Sequence, residues 1–239
     1  MLVQQMPDMR YPGSKRALGK YILPFINEAL KVFPRGKYIE PFAGGCNMIT
    51  QVTHHTKIGY DINEYVIALL KLAQADPDVL RNAECFSKRA CQYVKENKEL
   101  FQPWYVGAVG ILPSYGCLWM GTYMNDKEPG RFEKGVRGLL KQDLRGISLI
   151  CSDYKNIPIG EGNAVYCDPP YRDRDLYKMP FNHDEFYEWV RVISKHNIVL
   201  VSEYEMPADF TCVWQMEVTP RINNKSKKRF EKLFIYKGE

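Results

Sequence analysis

Residues 166–171 read Tyr166-Cys167-Asp168-Pro169-Pro170-Tyr171 and end a short apolar run that begins at Ala164. A strand that stops there sets a carboxylate, two rigid rings and an aromatic side chain at one rim of a sheet. Asp168 can accept a hydrogen bond from an amino group. The carbonyl of Pro169 can accept a second, because proline keeps its C=O while losing its N–H. Tyr171 can stack on a flat heterocycle. Together they suit a planar ring carrying an exocyclic NH2. A proline-rich turn after a strand is the plainer reading of the same residues.

Other residues can join this rim. Glu40-Pro41-Phe42-Ala43-Gly44-Gly45 closes a candidate strand at 37–40, and Asp61 closes another at 57–60. A Gly44-Gly45 turn lets a ligand approach the backbone. A carboxylate at Asp61 can accept hydrogen bonds from ribose hydroxyls, or it can cap the helix that follows. Asp153 and Tyr154, after a strand at 147–151, can frame a nucleobase. Ligands of open α/β sheets bind outside the carboxyl ends of the strands, so these groups should share one site. No G-x-G-x-x-G follows the first strand, which disfavours a nucleotide-dependent oxidoreductase. Lys15 stands at a helix N-terminus, where the dipole disfavours a cation. That misfit suggests a ligand carboxylate as its partner, the alternative being a surface lysine.

Periodicity supplies the elements that position these groups. Ser14 is a good N-cap, and Ala17, Leu18, Tyr21, Ile22, Phe25, Ile26, Ala29 and Leu30 recur at spacings of three and four, a buried helical stripe. Pro24 is placed to bend that helix. A second helix is expected over 46–53, and Asn63 should cap a third through Leu72. Helical character continues to about residue 100. A glycine and aromatic stretch then breaks the rhythm. Strands resume at 147–151, 164–167 and 198–201, with a helix from Asn182 whose Glu185 suggests a capping box. Late strands at 211–218 and 232–236 have no helix-length segment between them and should pair antiparallel. The expected fold class is α/β, a mostly parallel sheet with a C-terminal antiparallel strand. Residues 1–75 and 146–239 form the main domain, and 76–145 a small inserted subdomain.

Composition narrows the classes. The 239 residues are 45% hydrophobic and 26% charged, ordinary for a globular protein. No apolar run is long enough for a membrane span, and residues 1–10 lack a signal-peptide core, so a cytoplasmic protein is expected. Seven scattered cysteines without a C-x-x-C pair, and four histidines without metal-ligand spacing, argue for reduced thiols and no metal. Net charge is +5, and residues 221–232 hold six basic side chains against one acid, Glu231, which equals the whole excess. That run is either a solvated loop or a phosphate-facing one.

The motifs, in this order, resemble the Dam-type (D12 class) DNA adenine N6-methyltransferases. The pieces are Arg10-Tyr11-Pro12-Gly13-Ser14-Lys15, Glu40 to Gly45, Tyr60-Asp61-Ile62-Asn63, Cys151-Ser152-Asp153-Tyr154 and Tyr166 to Tyr171. The C-terminal Phe186-Tyr187-Glu188-Trp189 and Arg229-Phe230-Glu231-Lys232-Leu233 look like compact phage or mobile-element members, a setting that includes restriction-modification. The family often has Trp where Tyr11 stands. The resemblance implies a Rossmann-like class I methyltransferase sheet, S-adenosyl-L-methionine as methyl donor, double-stranded DNA as substrate, and a monomer or weak dimer. By position, Tyr11 and Lys15 would lie along the donor's methionine end and Phe42, Ala43, Gly44 and Gly45 beneath it. Asp61 would hold its ribose, with Asp153 and Tyr154 near its adenine. Asp168 would also border the donor, and Asp168, Pro169, Pro170 and Tyr171 would hold a flipped target adenine.

The implied chemistry is direct transfer. The adenine N6 lone pair is delocalised into the ring. Hydrogen bonds from N6–H to Asp168 and the Pro169 carbonyl would localise it toward the methyl group. Extruding the base costs a few kcal/mol, and stacking on Tyr171 could return roughly 1–3 kcal/mol. The insert, expected to recognise the target, offers Tyr115, Trp119, Tyr123 and Asn125 to enter the helix. Arg131, Lys134, Arg137 and Lys141 could reach phosphates or guanine edges, and Lys225, Lys227 and Lys228 phosphates. The insert aromatics could equally form a small core. RNA or protein-glutamine methylation, and a non-catalytic DNA-binding relative, are the competing functions. Relatives that act on protein usually have Asn where Asp168 stands.

Overall fold

Residues 11, 13–84, 87–114, 119–121, 130–172, 181–218 and 229–238 are described by the computed structural model. Among these residues seven strands form one sheet in the order β3-β2-β1-β4-β5-β7-β6. They are β1 (Tyr38–Glu40), β2 (Lys57–Asp61), β3 (Ile147–Cys151), β4 (Ala164–Cys167), β5 (Ile198–Glu203), β6 (Phe210–Val218) and β7 (Arg229–Tyr236). The first five pair in parallel, and β7 runs antiparallel between β5 and β6. The chain winds outward from β1 to β3, then returns to the other flank of β1 as β4. That reversal makes a topological switch point between β1 and β4, where α/β sheets bind ligands.

Alternation along the strands splits the core in two. Tyr38, Ala164, Tyr166 and Leu200 join one cluster with Ile22, Ile26 and Ala29 of α1 (Gly19–Val32) and Val66, Leu69 and Leu70 of α2 (Glu64–Ala75). Ile39, Val165, Cys167, Val199 and Val201 join the other with Phe186 and Val190 of α7 (His183–Ser194). Caps explain where helices begin. Asn63 Oδ1 accepts from Tyr65 and Val66 N–H, and Asn182 Oδ1 accepts from Glu185 N–H. Glu185 does not complete a capping box with Asn182; its carboxylate pairs with Lys155 at 2.6 Å.

Several local expectations are corrected. Ser14 does not start α1 directly: a 3-10 turn at Arg16–Leu18 intervenes, and Ala17 and Tyr21 are exposed. Tyr21 stacks instead on Trp214 of β6, with centroids 5.7 Å apart. Residues 46–53 contain only a 3-10 turn, Ile49–Gln51, because Cys46 adopts φ 58°, outside the helical basin. The late strands are longer than expected, and β7 begins at Arg229, inside the basic run.

Residues 76–145 contain α3 (Pro77–Arg81), α4 (Lys88–Glu96), α5 (Pro103–Ile111) and α6 (Arg131–Leu139). Periodicity missed α5 because it is apolar on all sides, with six consecutive buried residues from Val106 to Ile111. Val106, Val109, Phe132 and Leu139 share a core cluster with α1 and α2. No helix among the described residues is long and apolar enough to cross a membrane.

Gly107 lets α5 close on α2: a Cβ there would lie 2.1 Å from the Tyr65 carbonyl oxygen. Gly107→Ala must push the two helices apart and should cost about 1–3 kcal/mol. Thermal unfolding is expected to show a midpoint several degrees below wild type. An unchanged midpoint would mean that the α2–α5 contact yields freely.

Candidate active site

A cavity of about 980 Å³ opens at the carboxyl ends of β1 to β4. The parallel strands deliver the residues at their ends to it: Glu40 from β1, Asp61 from β2 and Ile62 just after it, Ser152 to Tyr154 after β3, and Asp168 after β4. Tyr11, Lys15, Phe42, Ala43, Gly44 and Gly45 complete one wall. The ten residues expected to border the donor thus converge on one space. Pro170 also lines it, while Pro169 and Tyr171 are buried.

The glycine turn is shaped by two constraints. Gly44 has φ 48°, and its N–H donates to Asp61 Oδ2 at 2.8 Å. A Cβ on Gly44 would sit 2.6 Å from the Tyr11 ring, and one on Gly45 2.9 Å from Tyr11 Cβ. Tyr11 therefore covers the turn where close approach by a ligand was expected. Gln142, beyond α6, braces the turn by donating to the Gly45 carbonyl at 3.0 Å.

Asp61 is not the cap of α2; Asn63 is. Asp61 Oδ1 accepts from Asn63 N–H at 2.9 Å, so each carboxylate oxygen holds one backbone donor and keeps a second lone pair. Burial raises its pKa, opposed by these two backbone bonds. Next to it Ile62 is 52% exposed, an apolar side chain at the cavity wall. Asp153 Oδ1 accepts from Lys155 N–H at 3.0 Å and caps a 3-10 turn. Tyr154 is buried among Phe42, Phe181, Phe186 and Trp189, with centroids 5.2–5.7 Å away. Its hydroxyl has no hydrogen-bond partner among the described residues, and burial pushes its pKa up to about 12.

Lys15 resolves its helix-end misfit in an unexpected way. Its ammonium contacts Asp168 Oδ1 at 2.8 Å, with the two side chains 5% and 20% exposed. It also donates to the Gly13 carbonyl at 2.9 Å and lies 4.5 Å from the centre of the Tyr171 ring. The partner is thus the protein's own carboxylate. Burial raises the Asp168 pKa, and the Lys15 charge opposes that rise. Tyr171, expected to stack on a heterocycle, is 7% exposed and donates its hydroxyl to Glu231 at 2.9 Å. His183 Nε2 lies 3.0 Å from the Pro170 carbonyl.

The expected nucleic-acid contacts divide. Trp119 lines the cavity and stacks on Tyr65, with centroids 5.8 Å apart and planes 14° apart. Arg131, Lys134 and Arg137 of α6, with Lys141 beyond it, do not line the cavity; the last three are exposed. Pro12, Tyr115, Tyr123, Asn125, Lys225, Lys227 and Lys228 lie outside the described residues. Sequence reasoning passed over Ile62, Lys88, Gln92 and Lys95, all of which line the cavity. A signal was present: Lys88, Gln92 and Lys95 follow spacings of four and three, which share one face of α4. No cluster of three metal-ligating side chains occurs among the described residues.

Glu40 was read only as a strand-end acid. It is 2% exposed, accepts the Tyr38 hydroxyl at 2.7 Å, and is pushed up to about 8 by burial. From about pH 4.5 to about 8 the unfolded chain releases this proton while the folded chain keeps it. Stability should therefore fall as pH rises through that window. Glu40→Gln removes this component, so its thermal midpoint should decline less between those pH values than that of wild type. Equal declines would show Glu40 ionised in the fold.

The chain is 24% identical over 191 residues to the Type II methyltransferase M.FokI of Planomicrobium okeanokoites. That alignment covers 68% of this chain and 28% of the relative, so the chain spans under a third of the relative's length. Among solved structures, the rRNA methyltransferase aviRa of Streptomyces viridochromogenes superposes at TM-score 0.42 and 13% identity, covering 95% of this chain and 86% of that one. SMU.472, solved in complex with SAH, superposes at TM-score 0.38 and 10% identity, covering 97% and 55%. Residues 11–102, which hold Tyr11, Lys15, the glycine turn and Asp61, match the sequence model of the D12 class N6 adenine-specific DNA methyltransferases, and over that span the chain carries the family pattern its motifs implied.

Proposed function

We propose that this protein is a site-specific DNA adenine N6-methyltransferase that uses S-adenosyl-L-methionine. One observation bears most of the weight: Gly44, Asp61 and Asp168 meet in a single cavity at the topological switch point. The residues present fit the donor. Asp61 keeps lone pairs for ribose hydroxyls, and Ile62 offers an apolar surface for an adenine face. S-adenosyl-L-methionine supplies a methyl group on a sulfonium.

The chain's own part is to prepare the acceptor. Asp168, one oxygen held by Lys15, accepts the target N6–H with the other and helps to localise the nitrogen lone pair. The rigid Pro169-Pro170 step fixes the backbone beside it. Phe181 and Tyr154 exclude water from the neighbouring wall. Trp119 and Tyr65 offer a stacked aromatic surface, and Lys88 and Lys95 offer cations for phosphates. Residues 76–145 would then form the target-recognition part of the protein. The exposed cations of and beyond α6, and Lys225, Lys227 and Lys228, are candidate phosphate contacts outside the cavity.

Incubation with radiolabelled S-adenosyl-L-methionine and duplex DNA, RNA or protein tests the reading. Label is expected on DNA as N6-methyladenine. Label on RNA or protein alone would transfer the proposal to those substrates, and donor binding without transfer would make the chain a non-catalytic relative. Asp168→Ala should reduce transfer by at least about 10³-fold, the scale of losing one positioned electrostatic group. DNA retention at low salt should persist. An active Asp168→Ala protein would remove Asp168 from the mechanism.

A further inference from the structure

Glu231 is the one acid in the basic run at 221–232, and it is buried, 8% exposed. β7 delivers it beside the Asp-Pro-Pro-Tyr segment. Glu231 Oε2 accepts the Tyr171 hydroxyl at 2.9 Å and lies 3.9 Å from the Lys15 ammonium. The same ammonium contacts Asp168 at 2.8 Å and sits 4.5 Å from the centre of the Tyr171 ring. Tyr204 packs edge-on against Tyr171 at 4.6 Å. One cation is therefore shared by two buried carboxylates, and one tyrosine holds both the cation and the second carboxylate.

We propose that Tyr171 and Glu231 are positioning residues that act through Lys15 to set how tightly the ammonium holds Asp168, and hence how good an acceptor Asp168 is for the target amino group. This rests on the function proposed above and adds two residues to it. Tyr171 then works through its hydroxyl and not only through its ring. A structural ion cluster alone would need neither the hydroxyl nor a divided cation.

The groups facing Asp168 determine the signs. Lys15 favours its ionised form, and so does the nearby Tyr171 hydroxyl, whose hydrogen is directed to Glu231 in this geometry. Glu231, Glu203 at the end of β5, Glu40 at the end of β1, and the Tyr166 and Tyr171 hydroxyls and Cys167 thiol of its own segment surround it. Glu203 Oε2 has no hydrogen-bond partner among the described residues, and burial holds Glu203 at about 7. Removing the Glu231 charge frees Lys15 to bind Asp168 more tightly. Asp168 becomes harder to protonate and a weaker acceptor. Removing only the Tyr171 hydroxyl leaves Glu231 short of a donor, so it draws Lys15 away. Asp168 becomes easier to protonate and less firmly held.

Single-turnover methyl transfer to duplex DNA, measured across pH for wild type, Glu231→Gln, Tyr171→Phe and the double variant, tests this. Both single variants should lower the plateau rate about tenfold, with donor affinity unchanged. The acid limb should move to lower pH in Glu231→Gln and to higher pH in Tyr171→Phe, each by roughly one unit, as expected for a neighbouring charge. The double variant should match Glu231→Gln, because the hydroxyl no longer has a carboxylate to hold. Unmoved acid limbs, or effects that multiply in the double variant, would overturn the relay while leaving the methyltransferase reading intact. A wild-type protein that methylates no DNA adenine would sink both. If Glu231→Gln does not fold, the acid limb of Tyr171→Phe decides alone: a rise supports the relay and no movement overturns it.

Discussion

A carboxylate drawn largely out of water has to find a cation or lose its charge. Asp168 is 20% exposed and meets that requirement through Lys15, itself 5% exposed. The pair joins Lys15, just ahead of α1, to the end of β4, about 150 residues later. Breaking such a pair by removing one member leaves an uncompensated buried charge, at a cost of about 3–5 kcal/mol. The site is thus built around an ion pair that also ties the amino-terminal segment onto the sheet.

Among the described residues three further buried acids lie near that pair: Glu40, Glu203 and Glu231. Lys15 and, at Glu40, Lys57 only partly offset the cost of burying these charges. Burial therefore shifts protonation, holding Glu40 near 8 and Glu203 near 7. Tyr38 and Tyr171 act as neutral donors, each binding one of these acids without adding charge. The result is a rim rich in acceptors that does not demand an equal number of cations.

Topology brings these groups together. Five parallel strands point their carboxyl ends the same way, and the return of the chain from β3 to β4 opens a gap above β1. Gly44 and Gly107 serve this geometry by opposite means. Gly44 adopts a left-handed backbone and leaves room for Tyr11, whereas Gly107 removes a side chain so that α5 can settle on α2. The second contact joins α5 to the layer that covers one face of the sheet.

Asp168, Asp61, the glycine turn and the strand ends that hold them were legible in the linear order, because a strand's last residue and its turn are local properties. So was the antiparallel close of the sheet, since too few residues separate β6 from β7 for a crossover. α5 was not legible, because a helix buried on every side has no amphipathic stripe. The region after Gly45 was misread as helical, because one left-handed residue at Cys46 outweighs favourable composition. Lys15 was singled out by its misfit with a helix dipole, but its partner lies far along the chain. Glu231 looked like a counterweight in a basic run, and Tyr171 like a stacking platform. Their pairing depends on β7 inserting between β5 and β6. Chemistry encoded in neighbouring residues was set by the chain itself; which charge meets which across the sheet was decided by tertiary packing, because burial and distance exist only once the strands are assembled.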